Sequence, residues 1–446
     1  MRIEEITVTN LFGIFDHSIP LDKDNHITII HGPNGFGKST ILKMLDGLLK
    51  SRYYEIRTIP FDEFCVTFEN GAYIKIIKSD ASENNDNNTV FINYSLGKED
   101  KTYREVEVDL TVEPESISFP INAIEDIVPE LERVGNKKWL CIPTGEIYSL
   151  QDVIGRYSDR FPDQIMAIEE PDDLKKLKNS VKAHIISTQR LSTYHSVRRL
   201  NIRARRVLNS PYTQAVAQYS SELAEAIEAK LAESASLSQS LDRTFPTRLI
   251  QQSSVKELTK EEIHQELSSL EKKRSNLRLV GLIDKEEDIE IPVPSQIDST
   301  TRNVFSVYIE DIKKKLRVFD KMSSKIKLFL EIVNHRFLYK EMSVSKEKGF
   351  IFTNSEGILL SPTSLSSGEQ HKLVLLYELL FKVNPDSIIL IDEPELSLHI
   401  DWQINFLSEL EQITKLTSLD ILMATHSPDI INERWSLTVE LKGRIK

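Results

Sequence analysis

Gly32-Pro33-Asn34-Gly35-Phe36-Gly37-Lys38-Ser39-Thr40 has the spacing G-x-x-x-x-G-K-[ST]. A short β-rich run, Ile27-Thr28-Ile29-Ile30, leads into it. Residues 39–50 follow with apolar side chains at helical spacing: Ile41, Leu42, Met44, Leu45, Leu48 and Leu49. Strand, glycine loop and helix in that order are the context a phosphate-binding loop needs. The glycines let backbone N–H groups turn inward around phosphate oxygens. The helix directs its positive end at the same anion. In this reading Asn34, Gly35, Gly37 and Thr40 shape the loop. Lys38 reaches the β- and γ-phosphates of a nucleotide, and the Ser39 hydroxyl ligates Mg²⁺.

A second decisive stretch is Ser387-Ile388-Ile389-Leu390-Ile391-Asp392-Glu393-Pro394. It reads as a buried strand ending in two acids, a poor sequence for a closed core because unpaired buried carboxylates are costly. With a phosphate loop upstream, Asp392 is the expected Mg²⁺ holder and Glu393 the general base that polarises the attacking water. About 20 residues earlier, Leu365-Ser366-Ser367-Gly368-Glu369-Gln370 opens another predicted helix, His371–Phe381. Taken alone this is a plain helix cap. Placed between the other motifs, it is a second anion site at a helix N-terminus. A two-fold dimer lets this segment cap a nucleotide held by the partner.

Between these motifs the texture changes. Strand patterns occupy Phe64–Phe68, Tyr73–Ile77 and Val90–Tyr94, with the polar run 79–88 among them. Residues 121–182 are mixed, and a buried strand runs through His184-Ile185-Ile186. From about 195 to 345, apolar residues follow 3/4 spacing, first at Val216, Tyr219, Leu223, Ile227 and Leu231, then from Val304 to Val333. The second stripe predicts one amphipathic helix of about 30 residues. The expected organisation is an α/β nucleotidase head with mixed sheet lobes, split by a helical, coiled-coil-like insertion. Its parts are an N-terminal lobe at 1–194, the insertion at 195–345 and a C-terminal lobe at 346–446.

The order of motifs resembles the ABC ATPase superfamily, in its SMC, RecF and overcoming-lysogenization branch. The residues that carry the likeness are the phosphate loop, Leu365–Gln370, the acid pair, Ser397-Leu398-His399 and Ala424-Thr425-His426-Ser427-Pro428. The resemblance implies ATP and Mg²⁺ as ligands. It implies that Ser366 and Gly368 contact the γ-phosphate in trans, with Ser367 and Glu369 also among the cofactor-binding residues, and that Ser397–His399 is the loop at the dimer interface. It makes His426 the switch histidine and Gln189, in Ser187-Thr188-Gln189-Arg190-Leu191, the glutamine linking Mg²⁺ and water. Ser367 departs from the family's usual pattern by replacing the first of two glycines.

Softer features narrow the branch. Asn10–Asp16, Thr188–Leu191 and Ser238–Pro246 resemble anti-phage ATPases of the Septu PtuA type, which work with a separate HNH nuclease. They are also similar to the PARIS AriA type, which works with a TOPRIM protein. This implies an oligomer of head-to-tail dimers that senses infection and regulates a separate nuclease. A RecF-like DNA repair ATPase and a nucleotide sensor with little turnover are the alternatives. An insertion of about 150 residues is too short for SMC arms, and the stretch after His426 leaves no room for a fused TOPRIM nuclease.

Composition constrains partners. The net charge of −12 means that any DNA contact needs a local basic patch. Arg198, Arg199, Arg203, Arg205 and Arg206 are the candidates, with pairing to the chain's own acids as the plainer alternative. Cys65 and Cys141 are far apart and form no CxxC, which argues against a cysteine zinc site or a disulfide scaffold. The N-terminus lacks a charged-then-apolar signal pattern, and no apolar run approaches the roughly 20 residues of a membrane span. A cytoplasmic protein without membrane contact is expected.

Overall fold

The computed structural model describes residues 1–57, 59–78, 89–98, 102, 104–109, 121–128, 130–135, 137–142, 145–157, 170–187, 211–251, 258–284, 298–397 and 400–443. The chain forms two compact units. One comprises Met1–Leu208 with Lys382–Lys446, the other Asn209–Phe381. The first unit is an α/β fold, and in sequence the helical second unit is inserted between its two segments.

The first unit is built on two sheets. A five-stranded sheet runs Lys182–Ser187, Ser387–Asp392, Asp420–Ala424, Ile27–His31, Thr438–Glu440 in spatial order. Every neighbouring pair in it is parallel. Ser387–Asp392 has buried aliphatics on both faces, as a central parallel strand must. The register aligns Ser187 with Asp392, Asp392 with Ala424, and Ala424 with Ile30. Four strands therefore end at one level, the edge where open α/β sheets hold ligands. The second sheet has six antiparallel strands: Phe15–Pro20, Ile3–Leu11, Glu63–Phe68, Tyr73–Lys78, Thr89–Ser95 and Arg104–Asp109. Helix Lys38–Leu49 contributes Ile41, Leu42, Met44, Leu45 and Leu48 to a core shared with both sheets.

Residues 121–182, unreadable from periodicity, hold a satellite core. Three short strands, Leu131–Gly135, Lys138–Cys141 and Ile147–Ser149, pack Trp139 and Cys141 against Ile124, Val153 and Ile154. The polar run 79–88 lies outside the described residues.

The second unit differs from the sequence expectation in three ways. The stripe from Val304 to Val333 forms two helices, Ser299–Arg317 and Asp320–Arg336. The break falls at Val318–Phe319, where Phe319 is buried and no glycine or proline marks it. The first helix is longer than its apolar stripe, running from Pro211 to Gln251 for 41 residues. Pro246 has no N–H to offer Asp242 O, four residues back; nearby, Thr244 Oγ1 donates to Ser240 O and Arg248 Nη2 to Leu241 O. Finally, the compact boundary falls at Asn209 and Phe381, where the sequence had suggested 195 and 345. The small sheet Lys340–Ser345, Gly349–Asn354, Leu359–Leu360 and helix Ser367–Tyr377 group with the helices because they pack on Pro211–Gln251. Tyr219 stacks on Tyr377 at 4.7 Å, and its hydroxyl donates to Glu378 at 2.6 Å. Among the described residues no helix is long and apolar enough to cross a membrane.

The turn before Gly349–Asn354 is clamped to the long helix. Ser220 Oγ bonds the carbonyls of Lys348 and Phe350 at 2.7 and 3.0 Å. Gly349 has φ of 71°, and a Cβ there meets Ser220 O at 1.8 Å. Backbone on backbone cannot yield as a side chain would. Gly349→Ala is expected to destabilise this unit by about 3 kcal/mol or more, read as a lower melting temperature. A wild-type melting curve would refute the clamp.

Candidate nucleotide site

The loop after strand Ile27–His31 turns at Gly35 and Gly37, with φ of 84° and 89°, both in the left-handed region that favours glycine. Its tip is pinned from outside. His17 Nε2 donates to the carbonyl of Phe36 at 3.0 Å, and the Phe36 ring packs on Phe15 at 4.8 Å. Burial pushes the His17 imidazole below its ordinary pKa, although the Phe36 carbonyl pulls the other way. Asn34 and Gly35 are exposed at the loop's crest, and Thr40 is half-buried on the first helical turn. Lys38, 5% exposed, donates to the carbonyls of Gly32 and Pro33 at 2.8 and 3.0 Å. An ammonium has three donors. Two of them hold the side chain inside the loop and one is left for a phosphate oxygen.

Ser39 Oγ donates to Asp392 Oδ1 at 2.7 Å. This joins the two motifs that the sequence assigned to Mg²⁺. Burial raises the Asp392 carboxyl above its ordinary pKa; the Ser39 bond opposes that, and the neighbouring Glu393 charge adds to it. A hydroxyl and a carboxylate in contact are the hard oxygen donors that Mg²⁺ takes, its remaining positions going to water and phosphate. Among the described residues no cluster of three His, Cys, Asp or Glu side chains could hold a metal by itself.

Glu393 follows directly and has φ of 46°, unusual for a side-chain-bearing residue. Its N–H is satisfied by Ala424 O at 2.9 Å on the neighbouring strand. Backbone strain of this kind gathers at functional sites. His426, from the loop after that strand, brings Nδ1 to 3.9 Å from Glu393 Oε1. Lys38, Ser39, Asp392, Glu393 and His426 thus converge on one sheet edge. Gln189 lies outside the described residues. Leu398, His399 and Arg198–Arg206 are also outside the described residues.

The signature segment sits in the second unit. Ser366 caps helix Ser367–Tyr377 in a reciprocal capping box with Glu369. Ser367 and Gly368 form the first turn. Glu369 is held in turn by Lys340, whose Nζ donates to both carboxylate oxygens at 2.7 and 2.8 Å. Burial alone would raise the Glu369 carboxyl, but Lys340 and Ser366 outweigh it and hold the group below its ordinary pKa. The structure thus shows the cap reading of this segment.

Sequence reasoning missed two residues here. Lys340 opens the strand Lys340–Ser345 with no motif around it. Glu395 is a third acid in Asp392-Glu393-Pro394-Glu395, and only the fold reveals its partners: Thr425 Oγ1 donates to it at 2.8 Å and His426 N at 2.9 Å. An acid two residues beyond Glu393, with a Thr-His pair downstream, was the available signal.

The raised pKa of Asp392 means that the folded chain disfavours its ionised form, which Mg²⁺ requires. Removing the charge relieves that penalty across the pH range where Asp392 is ionised. Asp392→Asn is expected to raise the Mg²⁺-free melting temperature by about 2 °C while abolishing Mg²⁺-dependent nucleotide affinity. A lower melting temperature at neutral pH would contradict this.

Several known proteins are similar to the chain. Two solved SMC head structures align over most of it. The Pyrococcus furiosus Smc head with an extended coiled coil bound to the ScpA C-terminal domain has a TM-score of 0.36 and 13% identity, covering 99% of this chain and 94% of that one. The Thermotoga maritima SMC head has 0.32 and 10%, covering 97% and 91%. Retron Ec83 probable ATPase from Escherichia coli is 27% identical over 168 residues. That match spans 33% of this chain and 31% of the relative's length. A family model described as AAA ATPase domain matches residues 1–431. The match covers most of the chain, which therefore belongs to this ATPase family.

Proposed function

We propose that the chain binds Mg·ATP at the edge of the parallel sheet and hydrolyses it. The observation that carries this is the Ser39–Asp392 contact, with Glu393 and His426 beside it. Lys38 and the loop N–H groups hold the phosphates. Ser39 and Asp392 would hold Mg²⁺, which when bound neutralises phosphate charge. Glu393 accepts a proton from the attacking water, and His426 faces the reacting phosphate. The β,γ-anhydride breaks as the water oxygen joins the γ-phosphorus, leaving ADP and phosphate. Gln189 is proposed to orient the same water.

The second half of each site comes from another copy. Ser366, Ser367, Gly368 and Glu369 would cap the γ-phosphate of a partner in a head-to-tail dimer, since a helix N-terminus attracts anions. The biological role we propose is regulation of a separate nuclease in anti-phage defence. Likeness to a retron ATPase supports this coarse placement. A Septu-type HNH or PARIS-type TOPRIM partner is the finer reading, and DNA contact through Arg198–Arg206 belongs with it.

Three measurements check the proposal. Lys38→Ala is expected to weaken ATP binding at least about tenfold, since it removes a charged phosphate donor. Glu393→Gln is expected to cut turnover about 100-fold or more while retaining ATP. The same variant is expected to shift toward dimers with ATP in light scattering. Unchanged turnover would remove Glu393 from the base role. ATP-bound Glu393→Gln that remains monomeric at every concentration would remove the trans cap.

A further inference from the structure

The geometry points to Glu395 as the residue that positions the switch histidine and keeps it off the catalytic acid. This rests on the hydrolysis reading above and deepens it. Glu395 lies in the short turn Pro394–Ser397, directly after the acid pair. Its side chain is only 7% exposed. A carboxylate so buried is retained only where donors compensate it. Two donors come from the switch segment: the Thr425 hydroxyl to Oε2 at 2.8 Å and the His426 N–H to Oε1 at 2.9 Å. His426 Nδ1 then stands 3.1 Å from the same Oε1. One buried acid thus fixes the backbone, the preceding side chain and the ring of the switch.

The ring contact has a chemical consequence. A carboxylate oxygen beside Nδ1 places the ring proton on that nitrogen and leaves Nε2 as the outward atom. It also settles a competition. Glu393 Oε1 is 3.9 Å from Nδ1, against 3.1 Å for Glu395. Each carboxylate could take the imidazole N–H. Glu395 stands nearer and draws the ring toward itself, so the Glu393 lone pairs stay available for the proton of the attacking water. The switch is braced from the other side as well. Ser427 Oγ donates to Gln403 Oε1 at 2.8 Å, and Ser427 N to Thr425 Oγ1 at 3.0 Å.

The test compares wild type, Glu395→Gln, His426→Ala and the double variant, each as the full chain. Expected for Glu395→Gln is a fall in kcat of about tenfold or more, with KM and ATP affinity within about twofold. The double variant is expected to be no slower than His426→Ala alone, because both changes remove one interaction. The second readout is the tautomer of His426, taken from long-range nitrogen–proton NMR and assigned by the signal lost in His426→Ala. Nδ1–H in wild type shifting to Nε2–H in Glu395→Gln supports the role. Wild-type kcat in Glu395→Gln, losses that multiply in the double variant, or an unchanged tautomer would each overturn it. If Glu395→Gln melts early, Thr425→Val replaces it in the cycle. If wild type itself shows no turnover, hydrolysis fails as a reading, and the tautomer alone judges Glu395.

Discussion

One hydrogen bond, from the Ser39 hydroxyl to the Asp392 carboxylate, spans 353 residues of sequence. The assembly of the glycine loop with the acid pair depends on it, and it depends on the parallel sheet. Strands Ile27–His31 and Ser387–Asp392 are not neighbours; Asp420–Ala424 lies between them. Only a fixed register across three strands brings the glycine loop level with the acids. That register is held by apolar side chains on both faces, since a one-residue slip would invert them. The core is therefore a precondition of the chemistry.

The same sheet explains why three acids so close in sequence acquire different environments. Asp392 ends the strand and points to Ser39. Glu393 adopts a left-handed backbone and stands part-exposed at the rim. Glu395, past the proline, turns beneath the switch loop. Burial raises the carboxyl of Asp392, while donors compensate Glu395. Neighbouring residues of one chemical type are thus separated by backbone geometry alone.

Much of this was legible in the sequence. The spacing from Gly32 to Ser39 fixes a turn, a cation and a hydroxyl locally, so no long-range knowledge is needed. The run Ser387–Ile391 announces a buried strand by its aliphatic content. What stayed hidden was of another kind. Lys340 meets Glu369, and Thr425 meets Glu395, across gaps of 29 and 30 residues with no periodicity to connect them. The break at Val318–Phe319 was invisible because the apolar stripe continues through it. Strands of three to five residues, as in 131–149, are too short for alternation to register. The grouping of the signature helix with the inserted helices is a property of packing, to which sequence order is a poor guide.

The long helix Pro211–Gln251 is seated near its start, where Tyr219 lies flat against Tyr377 of the signature helix. From that seat to its far end is about 48 Å at 1.5 Å per residue. Such a member is a lever with a short arm and a long arm. A tilt of about 5° at the aromatic seat carries the distant end about 4 Å, the scale of a side-chain contact made or broken. The far end is itself tied to helix Ser299–Arg317, where Arg248 meets Asp311 at 2.5 Å and Lys315 meets Asp242 at 3.0 Å, so that helix would have to follow any such tilt.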